Sequence, residues 1–303
     1  MRSKIRRSAG ALAALPLLIA PLAFAAPAAA APDTVTYDAL GDSYAAGTGA
    51  ADGYAFPDYL DGRKRIELED FPAVSGASFA TFASQLAVLN GDTDLVTLSL
   101  GGNDLPWVTS VAACLIFDDN ACAGAMGAFV QGTAHPGFVP ALGAAYTGVR
   151  TYAPNAHVVV TGYPHLFDPK FGDYTVNLDP ATIQLLVPVL LELTDGNQNL
   201  VDAVIAQLQQ NPVLHMSVAE QEMANAAVDA LNAVIEQQAA AHGFQFVSLT
   251  WLFNNHGINA RAPWINGIVL DPATFTSSLH PNAAGNRTIA SELVGEIKTR
   301  DLR

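Results

Sequence analysis

Short runs of β-branched and apolar residues alternate along the chain with longer segments whose apolar residues recur every three or four positions. Residues 34–40 read as a first strand. Residues 66–71 read as a second, and their alternation of apolar and acidic side chains predicts a place at the edge of a sheet. Residues 94–100 (DLVTLSL), 157–161 (HVVVT) and 244–249 (FQFVSL) supply a third, fourth and fifth. Helical periodicity fills the gaps. Phe79, Phe82, Leu86 and Leu89 predict a helix over 79–89. A longer helix is expected to start near Ser217, where Ser217 and Glu220 form a capping-box pair. Met223, Ala227, Leu231 and Val234 give it an apolar stripe, and Gly243 stops it. A last helix is expected over about 282–298.

Strands that alternate with helices imply parallel pairing through right-handed crossovers. A run such as HVVVT has no polar face, so it fits a sheet covered on both sides. The pattern contains no internal repeat and no linker, so residues 32–303 read as one α/β domain. Segments 105–135 and 165–215 read as insertions around its sheet.

Residues 1–31 form a separate object. Arg2, Lys4, Arg6 and Arg7 precede an Ala- and Leu-rich run that ends in small residues at Ala28–Ala31. That is the layout of a cleavable secretory signal, and a membrane anchor is the competing reading. Pro16, Pro21 and Pro27 interrupt the run and favour cleavage. No later segment is long enough to span a bilayer; residues 185–193 are apolar but short, and Pro188 divides them. The protein is therefore expected to be extracellular. Without the signal, 10 basic residues face 28 acidic ones, a net charge of −18. A surface so acidic repels nucleic acid and anionic membranes.

The two cysteines, Cys114 and Cys122, lie in a segment with loop character, with Phe117, Asp118, Asp119 and Asn120 between them. In an oxidising compartment they are expected to pair. Two thiols with no His or further Cys nearby are too few to hold a metal.

In a parallel sheet, functional groups collect at the carboxyl ends of the strands. Gly41-Asp42-Ser43-Tyr44 follows the first strand, Ser75-Gly76-Ala77 the second, and Gly101-Gly102-Asn103-Asp104 the third. Ser278-Leu279-His280-Pro281 precedes the last helix. A serine hydroxyl needs a base before it attacks a carbonyl, and His280 suits that role for Ser43. The oxyanion that forms needs preorganised donors, which the Ser43 and Gly76 N–H groups and the Asn103 amide can supply.

These four segments resemble the GDSL, or SGNH, hydrolase superfamily, and GDSYAAGTG around Ser43 is most similar to its secreted actinobacterial lipases and esterases. The resemblance implies a three-layer α/β/α sandwich of flavodoxin-like type around a five-stranded parallel sheet. It implies a secreted serine esterase or lipase that forms an acyl-enzyme on Ser43, with His280, Gly76 and Asn103 in the roles above. The substrate is then a small-molecule or lipid ester; a phospholipid or an acetylated carbohydrate would suit the same site. No cofactor or metal is implied.

The chain departs from the family pattern at position 277, where Ser277 stands in place of the Asp found three residues before the His in most members. A Ser43–His280 dyad is expected, with the Ser277 or Ser278 main-chain carbonyl orienting the imidazole. The alternative is a carboxylate from elsewhere, such as Asp271. Three rival functions fit less well. A metallophosphoesterase needs a metal cluster, and the chain contains no D-x-H and no H-E-x-x-H. An α/β-hydrolase needs a G-x-S-x-G elbow, and Ala45 stands where its second glycine belongs. A catalytically silent binding protein would not need all four motif residues.

Overall fold

A computed structural model describes residues 34–302 apart from 270 and 272. The signal segment expected over residues 1–31 lies outside the described residues. Five strands, β1 (Val35–Gly41), β2 (Ile66–Asp70), β3 (Leu95–Ser99), β4 (His157–Thr161) and β7 (Gln245–Val247), form one parallel sheet in the order β2-β1-β3-β4-β7. Strands β1, β3 and β4 are buried on both faces almost throughout, as their unbroken apolar runs require. β2 alternates buried and exposed residues and occupies an edge, as its sequence predicted. Two shorter strands, β5 (Tyr174–Asn177) and β6 (Val213–Met216), pair antiparallel outside this sheet.

Helices cover the sheet and complete the α/β sandwich. The α1 helix (Phe56–Leu60) packs against α10 (Ala283–Glu296). The α5 helix (Phe138–Tyr152) packs against α9 (Val218–Ala241) and α2 (Phe79–Phe82). At the start of α9, Ser217 Oγ accepts from the Glu220 N–H at 3.2 Å and Glu220 Oε2 from the Ser217 N–H at 2.7 Å, which closes the capping box. Its buried face differs from the stripe read off the sequence. Ala227 and Leu231 are buried, but Met223 and Val234 are only partly so, while Asn225 and Asn232 are buried. The buried face includes these two amides, which donate to the Phe167 and Tyr163 carbonyls.

The helix expected over 79–89 is α-helical only as α2 and continues as a 3-10 turn over Ala83–Val88. The tighter winding accompanies a two-way clasp. Gln85 Oε1 accepts from the Gly41 N–H at 2.8 Å, and Gln85 Nε2 donates to the Gly41 carbonyl at 2.9 Å.

The segment 105–135 is a helical pair, α3 (Trp107–Ile116) and α4 (Asp119–Thr133), and the cysteines sit in these helices rather than in a loop. Cys114 and Cys122 are fully buried and joined by a disulfide. Asp118 caps α4 by accepting from the Ala121 N–H at 3.0 Å, so the acidic stretch read as loop is a helix start. The segment 165–215 holds β5, α6 (Pro180–Leu185), α7 (Val187–Leu193), α8 (Gln198–Gln210) and β6. Pro188 falls in the first turn of α7, where its missing N–H has no helical partner to lose. No helix among the described residues is long and apolar enough to cross a membrane.

Candidate active site

The four turns singled out in the sequence meet at the carboxyl edge of the sheet. β1 ends at Gly41, and the chain closes into a tight turn in which the Ala46 N–H donates to the Asp42 carbonyl at 2.9 Å and the Thr48 N–H to the Ser43 carbonyl at 3.0 Å. Ser43 is almost buried. Its Oγ lies 2.8 Å from His280 Nε2, although 237 positions separate the two in sequence. The other ring nitrogen, His280 Nδ1, lies 2.7 Å from the Ser278 carbonyl. A carbonyl can only accept, so Nδ1 carries the proton and Nε2 is the acceptor, toward which the Ser43 hydroxyl donates. Burial lowers the pKa of His280 below its ordinary value, against the opposing pull of the Ser278 and Thr276 carbonyls. The ring is therefore neutral at neutral pH.

Two candidates for orienting the imidazole are placed differently. The Ser277 carbonyl accepts from the His280 backbone N–H and from Asn266 Nδ2, both at 3.3 Å, rather than from the ring. Asp271 is exposed, and its Oδ1 accepts from the Ala273 N–H at 3.0 Å. Neither approaches Nδ1, which faces Ser278.

Asn103 lies in a 3-10 turn after β3, and its Nδ2 donates to the Ala77 carbonyl at 3.0 Å. An amide nitrogen has two hydrogens, so one remains available. This bond brings the third turn against the second. Gly76, next to Ala77, is exposed with φ +80°, a left-handed conformation that only glycine adopts cheaply. A Cβ there would meet nothing within 4 Å, so conformation rather than close approach is what requires glycine. The Ser43 and Gly76 N–H groups have no acceptor among the described residues.

Several residues beyond Ser43, Gly76, Asn103 and His280 tie these turns together. Asp42 is buried, and its Oδ1 accepts from Ser99 Oγ at 2.7 Å and from the Tyr44 N–H at 3.0 Å. Its Oδ2 accepts a short hydrogen bond from the Tyr163 hydroxyl. Burial pushes the Asp42 pKa up to about 6 despite these donors. Asp104 accepts from the Phe79 N–H at 3.0 Å, and burial likewise pushes its pKa up to about 6. Tyr163 was missed, although it follows β4 at the same carboxyl edge where the other functional turns were sought. His165, two residues on, pairs with Asp229 at 2.8 Å.

Ser43, Asn103 and His280 open onto a cavity of about 420 Å³. Its far wall is apolar, built from Leu105, Trp107, Phe129, Leu166 and Leu231. The Trp107 and Phe129 rings meet edge to face at 5.1 Å, so α3 and α4 share that wall. The other two tryptophans lie elsewhere: Trp251 is 77% exposed, and Trp264 stacks on His256 at 3.5 Å. Among the described residues no group of three or more His, Cys, Asp or Glu side chains could hold a metal ion.

The chain is 30% identical to Lipase 1 of Streptomyces coelicolor over 82% of its own length and 81% of that protein. It superposes on the crystal structure of an extracellular lipase from Streptomyces rimosus with a TM-score of 0.65 at 25% identity, covering 87% of this chain and 100% of that one. Phospholipase A1 from Streptomyces albidoflavus shares the fold with a TM-score of 0.67 at 24% identity, over 88% of this chain and 100% of the other. Residues 39–288 match the GDSL-like lipase/acylhydrolase family, and the chain belongs to this family of ester-hydrolysing enzymes.

Proposed function

We propose that the protein is a secreted carboxylester hydrolase that works through an acyl-enzyme on Ser43. The observation that carries this reading is the chain of contacts from Ser43 Oγ through the His280 ring to the Ser278 carbonyl, at 2.8 and 2.7 Å, beside an apolar cavity. Neutral His280 takes the hydroxyl proton at Nε2 as Ser43 Oγ bonds to the ester carbonyl carbon. The carbonyl oxygen becomes an oxyanion, held by the Ser43 N–H, the Gly76 N–H and the free hydrogen of the Asn103 amide. Loss of one such donor typically costs about 3–4 kcal/mol of transition-state stabilisation. The C–O bond to the alcohol then breaks, and the His280 imidazolium returns its proton to the leaving oxygen. Water repeats the sequence on the acyl-enzyme and releases the acid.

The Ser278 carbonyl does the orienting that a carboxylate does in a triad. It fixes the tautomer, and it stabilises the imidazolium less than a charge would. These steps use no metal or cofactor, so a chelator should leave the rate unchanged.

The apolar wall suits the acyl chain of a lipid ester. A phospholipid is the second reading, favoured by the fold shared with the phospholipase A1 of S. albidoflavus. Secretion rests on the composition of residues 1–31 and on the relative from S. rimosus described as extracellular. We assign residues 32–303 to a single hydrolase domain. Hydrolysis of p-nitrophenyl butyrate and of a dioleoyl phosphatidylcholine dispersion tests the assignment. Wild type should cleave the first, and Ser43→Ala should lose at least a thousandfold; a Ser43→Ala variant with wild-type rates would overturn the nucleophile.

A further inference from the structure

We infer that Tyr163 is a positioning residue of the reaction: its hydroxyl bridges the turn that carries Ser43 and the turn that carries Asn103, and holds the two at the spacing the oxyanion requires. The inference rests on the proposed roles of Ser43 and Asn103.

The Tyr163 hydroxyl accepts from the Gly102 N–H at 3.0 Å. It has one proton of its own, and that proton goes to Asp42 Oδ2. Asp42 in turn accepts from the Tyr44 N–H at 3.0 Å and from Ser99 Oγ at 2.7 Å. One hydroxyl thus joins the residues on either side of Ser43 to the residue just before Asn103.

Tyr163 is itself held from behind. Asn232 on α9 accepts from its N–H at 2.8 Å and donates to its carbonyl at 2.8 Å. Its ring meets Tyr44 edge to face at 5.1 Å, and Tyr44 lies against His280 with ring centres 5.5 Å apart. On the other side the ring seats on bare backbone. A Cβ at Gly102 would come within 3.1 Å of the Tyr163 hydroxyl and ring, so glycine there preserves the contact. Packing alone would need only the ring. The two hydrogen bonds of the hydroxyl are what a phenylalanine would lack, and both go to catalytic turns.

The test is Tyr163→Phe, assayed on p-nitrophenyl butyrate and against a trifluoromethyl ketone that mimics the tetrahedral adduct. A misplacement of about 1 Å costs on the order of a hundredfold in rate. The expected result is a fall in kcat of about tenfold to a hundredfold with KM within about twofold, matched by an equal loss of affinity for the ketone. Unchanged kcat and ketone affinity would overturn the inference, as would a loss confined to KM. If Tyr163→Phe does not fold, Gly102→Ala is judged by the same criteria, since its Cβ would crowd the Tyr163 hydroxyl that the Gly102 N–H meets. Ser43→Ala, run in parallel, separates the two failures. Activity retained there overturns the nucleophile, whereas activity lost there with wild-type kcat in Tyr163→Phe overturns the positioning role alone.

Discussion

The Tyr44 hydroxyl donates to the Leu279 carbonyl at 2.9 Å, so the residue after the candidate nucleophile is tied to the residue before the candidate base. The two are 235 positions apart, and no helix or strand connects them. Leu279 has φ +64°, a conformation that costs a non-glycine residue roughly 1–3 kcal/mol. Tyr44 and Asn266, which exchanges backbone hydrogen bonds with Leu279 and His280, hold it there. Tyr44→Phe removes the bond and keeps the ring. A neutral hydrogen bond contributes about 0.5–1.5 kcal/mol, so the variant should unfold at slightly lower temperature. It should lose several-fold in kcat with little change in KM, because the Ser43–His280 geometry slackens while the ring that lines the cavity is kept. Steady-state kinetics on p-nitrophenyl butyrate check this, and an unchanged kcat would remove Tyr44 from the positioning network.

His280 Nδ1 faces the Ser278 main-chain carbonyl at 2.7 Å, so under the proposed mechanism carboxylate deletions nearby should be mild. Asp271→Asn and Ser277→Ala should each retain activity within about threefold. Among the described residues the Asp271 side chain bonds within its own turn, and the Ser277 hydroxyl donates to the Thr274 carbonyl. Where a triad aspartate orients the base, its loss costs about 10⁴-fold. A fall of that size in Asp271→Asn would replace the Ser278 carbonyl as the orienting group.

The same arrangement fixes the sign of the pH dependence. In the proposed mechanism His280 acts as a base only when neutral, so activity should be full above its pKa and lost as pH falls through that value. Burial lowers this pKa, and among the described residues no carboxylate raises it again. The acid limb of kcat/KM should therefore have its midpoint below the ordinary histidine value of about 6.5. Asp42, at about 6, titrates in the same window, so the limb is best assigned by following the His280 ring nitrogens by NMR. A ring that titrates above about 6.5 would point to an anionic partner.

That Ser43, Asn103 and His280 converge was legible because their motifs are local in sequence. Each sits in a turn immediately after a strand or before a helix, and strand runs such as HVVVT mark those positions plainly. The buried β strands and the capped start of α9 were legible for the same reason. Tyr163 and Asn232 were not, since a tyrosine after a strand and an asparagine within a helix carry no local signature of the partners they meet 69 positions apart. The α9 stripe was misplaced because buried polar residues break an apolar count. The helix α4 was hidden by glycine, asparagine and aspartate, which favour turns locally. Its packing against α3 and α9 overrides that preference.

The disulfide gives those two helices a function that can be tested. Cys114 and Cys122 are both buried, and the bond ties α3 to α4 near their junction. Closing so short a segment stabilises by roughly 2–3 kcal/mol, mainly by restricting the unfolded chain. The double variant Cys114→Ala/Cys122→Ala should therefore melt about 4–10 °C lower. Its effect on catalysis should depend on acyl length. In the proposed binding mode a decanoyl chain lies along the wall that α3 and α4 build with Trp107 and Phe129, whereas an acetyl group is too short to run along it. The variant should hydrolyse p-nitrophenyl acetate within about twofold of wild type and lose at least about fivefold on the decanoate, a difference of about 1 kcal/mol in transition-state binding. Equal losses on both esters would mean that the helix pair supports the whole site rather than the acyl wall.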